Sequence, residues 1–295
     1  MTEKEFLKRT EDGSMGLENL FRPIAPKVEG AMLTGYHALS TGRFKTYFPD
    51  HDYRKDETQM TMAELSARFW KRFNGPIKLL TDRAGYEFFK NSPLADVYDE
   101  ILPILDTRCC GINHIKYWAA AKIQALSRIP LPCAIIDMDM VVLKPLDLSG
   151  ERVVGACYEF ISDATYPNWD YFELRPGYSF PPEWSEEALP INTAFLYIND
   201  EELRKNYTSE SFRFMLNERE TPDYWSTCMI FAEQRILGMC AESRGIYAKT
   251  LWDMDPSHQI LSHFWASKGK IRDDKELNEF FMEHSKKMLK QLKES

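Results

Sequence analysis

Short apolar runs alternate with longer segments whose apolar residues recur at helical spacing, and the two kinds of block take turns through most of the chain. Residues 29–38 read as a first strand ending at a glycine turn. A polar stretch over 50–61 reads as loop, after which Leu65, Phe69 and Trp70 mark a helix over 62–73. The run 76–80 is a second strand, and Thr81-Asp82 supplies the cap of a helix over about 83–90. A short strand over 97–105 and a well-patterned helix over 114–128 follow. That helix leads through Pro130 and Pro132 into an apolar run from Cys133 to Pro145. Later come strands over 152–157 and 191–198, helices near 202–205, 210–217 and 227–237, and a final apolar segment over 259–264. Strands interleaved with helices in this way predict an α/β fold with a mostly parallel sheet covered on both faces. In such sheets ligands sit beyond the carboxyl ends of the strands.

Two stretches break the pattern. Between Tyr158 and Trp184 stand nine aromatic residues among prolines and acids, with little periodicity. They read either as a platform or lid over a ligand or as a satellite core beneath a long loop. The other break lies inside the run Cys-Ala-Ile-Ile-Asp-Met-Asp-Met-Val-Val-Leu-Lys-Pro, which places Asp137 and Asp139 two residues apart. Side chains alternate across a strand, so the strand expected here puts both carboxylates on one face and Met138 on the other. Two ionised carboxylates among apolar neighbours need a cation or strong hydrogen bonds. Oxygen ligands favour Mg²⁺ or Mn²⁺, which take remaining oxygens from water and from substrate phosphates. A metal-bound phosphate or diphosphate is therefore the expected ligand. A second acidic pair, Asp253 and Asp255, lacks an apolar lead-in and is followed by Pro256, so it reads as a turn.

With 295 residues, 44% hydrophobic and 28% charged, the chain has the composition of a globular protein. A net charge of -8 and a sequence pI near 5.4 argue against nucleic acid as a partner, since that surface needs a basic stripe. Six cysteines without a C-x-x-C point to reduced thiols and a cytoplasmic setting. Cys109, Cys110 and His114 match no usual zinc spacing and read as structural. No apolar stretch reaches the roughly 18 residues of a membrane span. The last segment, 286–293, carries Met288, Leu289 and Leu292 at helical spacing among lysines. It reads as a docked C-terminal helix, with peripheral contact to an anionic membrane surface as the sharper alternative.

Several motifs, in order, resemble the GT-A glycosyltransferases, in particular the retaining glycosyltransferase 8 and 32 families. Ile135-Ile136-Asp137-Met138-Asp139 followed by Leu143-Lys144-Pro145-Leu146 is similar to that family's D-x-D strand and succeeding Pro-Leu turn. Leu189 to Asn199 resembles its asparagine strand, with Ala194 where glycine is usual, and Leu261 to Lys268 resembles its late histidine motif. The likeness spans about Gly30 to Gly269. It implies a Rossmann-like GT-A domain over 20–295 with a nucleotide-binding N-terminal part, an acceptor-side loop or lid over 158–190 and an N-terminal extension over 1–19. It also implies transfer of a sugar from a nucleotide-sugar donor, most plausibly a UDP-sugar, to a carbohydrate or lipid-linked acceptor with retention. In that reading Asp137, Asp139 and His263 hold Mn²⁺ or Mg²⁺, and Asp137 also reaches the nucleotide ribose. Lys122 and Lys268 neutralise the diphosphate, Asn192 bonds a sugar or acceptor hydroxyl, Tyr36 stacks on the base, and Asp82 lies at a donor-side turn. Glu233 and Gln234 face donor and acceptor, one of them stabilising charge on the anomeric carbon. Two rivals remain: a haloacid-dehalogenase-like phosphatase, whose D-x-D-x-V strand Asp137 to Val141 also fits, and a non-catalytic, glycan-binding relative.

Overall fold

The computed structural model of the chain describes residues 1–10, 15–41, 56–105, 111–113, 116–162, 165–219 and 226–294. Cys109, Cys110 and His114 lie outside them. A seven-stranded sheet has the order β3-β2-β1-β4-β7-β6-β8, built from β1 (Gly35–Leu39), β2 (Ile77–Thr81), β3 (Glu100–Leu102), β4 (Cys133–Ile136), β6 (Val153–Gly155), β7 (Phe195–Ile198) and β8 (Lys249–Thr250). Only β7 runs against its neighbours. A two-stranded antiparallel ribbon pairs β5 (Met140–Val142) with β9 (Leu261–His263). The expected α/β class, a mostly parallel mixed sheet flanked by helices, is the one observed.

Alternation along the central strands explains why both faces are covered. Leu80, Cys133, Ile135, Leu196 and Ile198 belong to one core, under the helices Ala120–Leu126 and Glu201–Asn217 and the helical stretch from Thr227 to Ser243. Ile77, Leu79, Ala134, Ile136, Phe195 and Tyr197 belong to the other, where the helix Glu57–Phe73 lies. Gly35 permits that approach. A Cβ there would fall 2.5 Å from the Trp70 indole nitrogen, which donates to the carbonyls of Leu33 and Pro76 at 3.2 Å.

Several boundaries differ from the sequence reading. The helix placed at 62–73 starts at Glu57 because Asp56 caps it, accepting from Gln59 N at 3.0 Å. The two helices expected at 202–205 and 210–217 are one, Glu201–Asn217, capped by Asp200. Its polar middle is buried because Tyr207 and Ser211 bond to the next helical stretch. The aromatic stretch resolves as core. Phe172 and Phe180 pack on Phe214 and Phe231, and Trp184 and Tyr166 are buried, leaving Phe160 as the one ring of the nine that is largely exposed, at 86%. The residues expected to form an extension carry a helix, Glu3–Thr10, whose Phe6 is buried in one cluster with Phe281, Met288 and Leu289 of the C-terminal helix Lys275–Glu294. Burial of Met288 and Leu289 leaves Lys286, Lys287, Lys290 and Lys293 outside, which is the docked reading of that helix. Among the described residues no helix is long and apolar enough to cross a membrane.

The chain leaves β1 for β2 and β3 on one side, then returns as β4 on the other. That change of direction makes the carboxyl ends of β1 and β4 the switch point of the sheet, where open α/β folds take their ligands. Asp137 is the first residue after β4.

Candidate active site and metal centre

The strand stops at Ile136, so alternation does not bring the two aspartates together. Asp137 N donates to Ala194 O at 2.7 Å and Met140 N to Asp137 O at 3.0 Å, closing a four-residue turn from 137 to 140. That turn swings both carboxylates toward β9, where His263 lies opposite Met140. Candidate ligand atoms of Asp137, Asp139 and His263 all lie within 4.8 Å of one another, the one such cluster among the described residues.

Each aspartate is engaged by its own lysine. Lys122 Nζ lies 2.7 Å from Asp137 Oδ1, 2.8 Å from Glu233 Oε1 and 2.6 Å from Thr193 O. Lys268 Nζ lies 2.6 Å from Asp139 Oδ2. Burial pushes the Asp137 carboxyl above the ordinary carboxylate range, and the charges of Glu233 and Asp139 add to it against the pull of Lys122. Burial acts the same way on Asp139, but Lys268 and His263 outweigh it and hold that carboxyl well below the usual range. Burial disfavours the charge of Lys122, yet Asp137 and Glu233 overcome it and raise its pKa. The Nε2 atom of His263 is buried without a hydrogen-bond partner, standing 3.7 Å from Asp139 Oδ1. An orphaned imidazole nitrogen beside two carboxylates fits a divalent cation, with open positions left for water and substrate oxygens.

Glu233 and Gln234 sit in a π-helical turn, Phe231–Arg235, between the helices Thr227–Ile230 and Ile236–Ser243. Donors from outside the helix take three successive carbonyls: Ser211 Oγ bonds Ala232 O at 2.8 Å, Tyr207 Oη bonds Glu233 O at 2.7 Å and Ile191 N bonds Gln234 O at 3.2 Å. Such competition widens the turn, a feature common at functional sites. Glu233 points inward, 4% exposed, with Oε1 also accepting from Thr193 Oγ1 at 2.8 Å. Gln234 points elsewhere, its Oε1 accepting from Tyr166 Oη at 2.7 Å. Asn192 Nδ2 donates to Glu159 Oε1 at 2.7 Å and its Oδ1 accepts from Ala194 N at 2.9 Å. Ala194, where the resembled family has glycine, meets Asp137 through its carbonyl.

The structure thus brings together Asp137, Asp139, His263, Lys122, Lys268 and Glu233, while Asn192 and Gln234, next in the chain to Thr193 and Glu233, bond Glu159 and Tyr166. It does not bring Tyr36 or Asp82 to them in a free state. Tyr36 is 4% exposed within the core under β1, so its ring has no face for a base. Both carboxylate oxygens of Asp82 are taken, Oδ1 by Gly85 N and Thr41 Oγ1 and Oδ2 by Thr41 N and Ser40 Oγ, which makes it a helix cap and strand-end clasp. Lys122, with three acceptors around its ammonium and only 8% exposed, is spent on the protein's own acids rather than free for a diphosphate. Lys268 keeps that freedom, its side chain 36% exposed. The sequence did not single out Glu159 or Thr193, and it offered Tyr166 as one of the nine rings of the aromatic platform or lid. Thr193 lay inside a noted motif, whereas Glu159 was hidden in an aperiodic stretch.

The second acidic pair is structural, as its turn chemistry indicated. Asp253 bonds the Thr250 cap and Asp255 is clasped by Lys144 at 2.6 Å and by Ser257. Burial opposes the charge of Asp255, but the bonds from Lys144, Ser257 and Gln259 bring its pKa down to about 2. A depressed acid stabilises the fold above its unfolded pKa, near 3.8, and loses that contribution as pH falls toward 2. Asp255→Asn is expected to cost about 1 kcal/mol at pH 7. In urea titrations its deficit against wild type should shrink between pH 4 and 2, and a deficit that persists there would refute the clasp.

No protein-family model matches the chain, and no curated protein does. Solved structures with a partial likeness include the glycosyltransferase GlyE of Streptococcus pneumoniae TIGR4, at 14% identity and TM-score 0.44, covering 86% of this chain and 60% of that one. The galactosyltransferase LgtC, solved with donor and acceptor sugar analogs, shows 10% identity and TM-score 0.44 over 86% of this chain and 96% of its own. Mouse xyloside xylosyltransferase 1 shows 10% identity and TM-score 0.35 over 75% and 85%. The chain spans about 60% of the length of GlyE. Likenesses of this size fix neither family nor activity.

Proposed function

We propose that the chain is a metal-dependent glycosyltransferase of the GT-A type, moving a sugar from a nucleotide-sugar donor, a UDP-sugar, to a carbohydrate or lipid-linked acceptor with retention. One observation carries the reading: two carboxylates and an unpartnered, buried imidazole nitrogen converge at the switch point of an α/β sheet. Asp137, Asp139 and His263 would hold the divalent cation, which when bound would supply Lewis-acid stabilisation of a leaving diphosphate. Lys268, ion-paired yet partly open, adds a second positive charge at the same edge. Lys122 keeps Asp137 in place and balances Glu233 out of water's reach. Because Glu233 is enclosed, Gln234 and Asn192, with Glu159 and Tyr166 behind them, are the polar groups available to sugar hydroxyls.

The phosphatase reading asks Asp139 to exchange a proton as acid and base near neutrality. Lys268 and His263 oppose that by holding it ionised. Phosphate release from simple phosphate esters without a nucleotide sugar would favour that rival.

The direct test is thermal stability with UDP, GDP and their sugars, each with and without Mn²⁺. UDP with Mn²⁺ together should stabilise more than either alone, by about 2.7 kcal/mol at a hundredfold excess over Kd. Absence of any metal-dependent shift with every diphosphate would overturn the proposal.

A further inference from the structure

Met140 and His263 face one another across the ribbon, and the ladder bonds fall on the flanking pairs. Phe264 N donates to Asp139 O at 3.0 Å and Leu143 N to Ile260 O at 2.8 Å. The peptide groups of Met140 and His263 therefore point outward, each needing a partner beyond the ribbon. His263 finds Met15, donating to its carbonyl at 2.8 Å and accepting at 3.3 Å. Met140 N closes the aspartate turn, and Met140 O accepts from Ser66 Oγ on the helix Glu57–Phe73.

Ser66 has one proton, and it goes to Met140. Its oxygen therefore accepts from His37, whose Nε2 lies 3.0 Å away. His37 then carries its proton on Nε2, and its Nδ1 accepts from Tyr98 Oη at 2.9 Å. Every member is buried, at 1% exposure for Ser66, 0% for His37 and 5% for Tyr98, so bulk solvent does not reach these bonds. Burial brings the His37 pKa down to about 3, which keeps the ring neutral and the donor order fixed at working pH.

We propose that Ser66, oriented by His37 and Tyr98, is a positioning residue that holds the Asp137–Asp139 turn in the geometry that takes the cation; this rests on the functional reading above. Lys122 and Lys268 hold the carboxylates of the turn, and in its backbone Asp137 N donates to Ala194 O, Asp139 O accepts from Phe264 N and Met140 O accepts from Ser66 Oγ. Of these three backbone bonds the last alone comes from a side chain, and it ties the turn to the helix Glu57–Phe73. Removing it strands a buried carbonyl one residue from Asp139, and the turn must rotate to find another donor.

The test is Mn²⁺ affinity of the full chain by calorimetry, with and without UDP. Ser66→Ala should weaken binding about 10- to 100-fold, the range for lost partners of metal ligands. Tyr98→Phe keeps the ring and removes its proton. It frees His37 to move its proton to Nδ1, so that Nε2 competes for the Ser66 proton. Nitrogen NMR should show the Nε2–H tautomer in wild type, a shifted mixture in Tyr98→Phe, and weaker Mn²⁺ binding to match. A packing role alone would lower the melting temperature and leave affinity and tautomer unchanged. Should Ser66→Ala, or Tyr98→Phe if the former does not fold, bind Mn²⁺ within twofold of a wild type that binds it, the inference fails alone. An Nδ1–H tautomer in wild type also overturns it. Wild type that binds no Mn²⁺ under either condition overturns the functional reading and the inference with it.

Discussion

Asp137→Asn and Asp139→Asn are each expected to abolish sugar transfer while moving the melting temperature in opposite directions. Loss of a cation ligand removes several kcal/mol of leaving-group stabilisation, a rate loss of about a thousandfold or more. Stability follows a different logic. The Asp137 carboxyl is held above the ordinary range by burial and by Glu233 and Asp139, so its charge is less favourable in the fold than in the unfolded chain. At neutral pH it subtracts stability, and asparagine relieves that strain while Lys122 retains Glu233 and Thr193. Asp139 is the reverse case. Its lowered pKa means the ionised form is favoured by the fold, so its contribution is present above about pH 4 and is lost as pH falls through the lower, folded value. Asp139→Asn should therefore cost about 1.5–3 kcal/mol at pH 7, and little in strong acid. Melting curves from pH 3 to 8 beside transfer assays decide the matter. Shifts of the same sign would refute this electrostatic arrangement, and transfer retained by either variant would refute the cation site.

Why those acids were legible in the sequence, and why the reason for their convergence was not, follows from what each rests on. An acid pair inside an apolar run is a local chemical contradiction, visible without any structure. The strand, however, ends at Ile136: Asp137 N still makes the next rung of the ladder to Ala194 O, and then Met140 N turns back to Asp137 O. The turn that follows that rung and the pairing of Met140 with His263 decided the geometry, and no periodicity carries that information. The same division recurs elsewhere. Asp82 was read as a helix cap from its neighbours, and it is one. Lys122 was assigned to a diphosphate, but its acceptors come from three separate segments, so its burial could not be read locally. The aromatic stretch gave two readings by composition, and the outcome depended on Phe214 and Phe231 standing where its rings could stack. Glu233 and Gln234 were found as a pair, while their divergence came from a π turn made by Ser211, Tyr207 and Ile191.

The second large effect concerns Lys122. Lys122→Met keeps the volume and apolar stem but removes the one cation between Asp137 and Glu233. Glu233 is 4% exposed and, among the described residues, bonded otherwise only to Thr193 Oγ1, so without Lys122 its carboxylate is left buried and unpaired. Breaking one side of such a pair costs about 3–5 kcal/mol, because the remaining charge is stranded. The loss should be largely coupled to Glu233: Glu233→Gln in the same chain removes the stranded charge and should recover a large part of it. A double-mutant cycle of Lys122→Met and Glu233→Gln by urea unfolding reads the coupling directly. If the two losses simply add, Lys122 is not the counter-charge of Glu233. Recovery of stability in the double variant without recovery of Mn²⁺ binding would separate the two jobs of this ammonium, since Asp137 would still lack the partner that fixes its Oδ1.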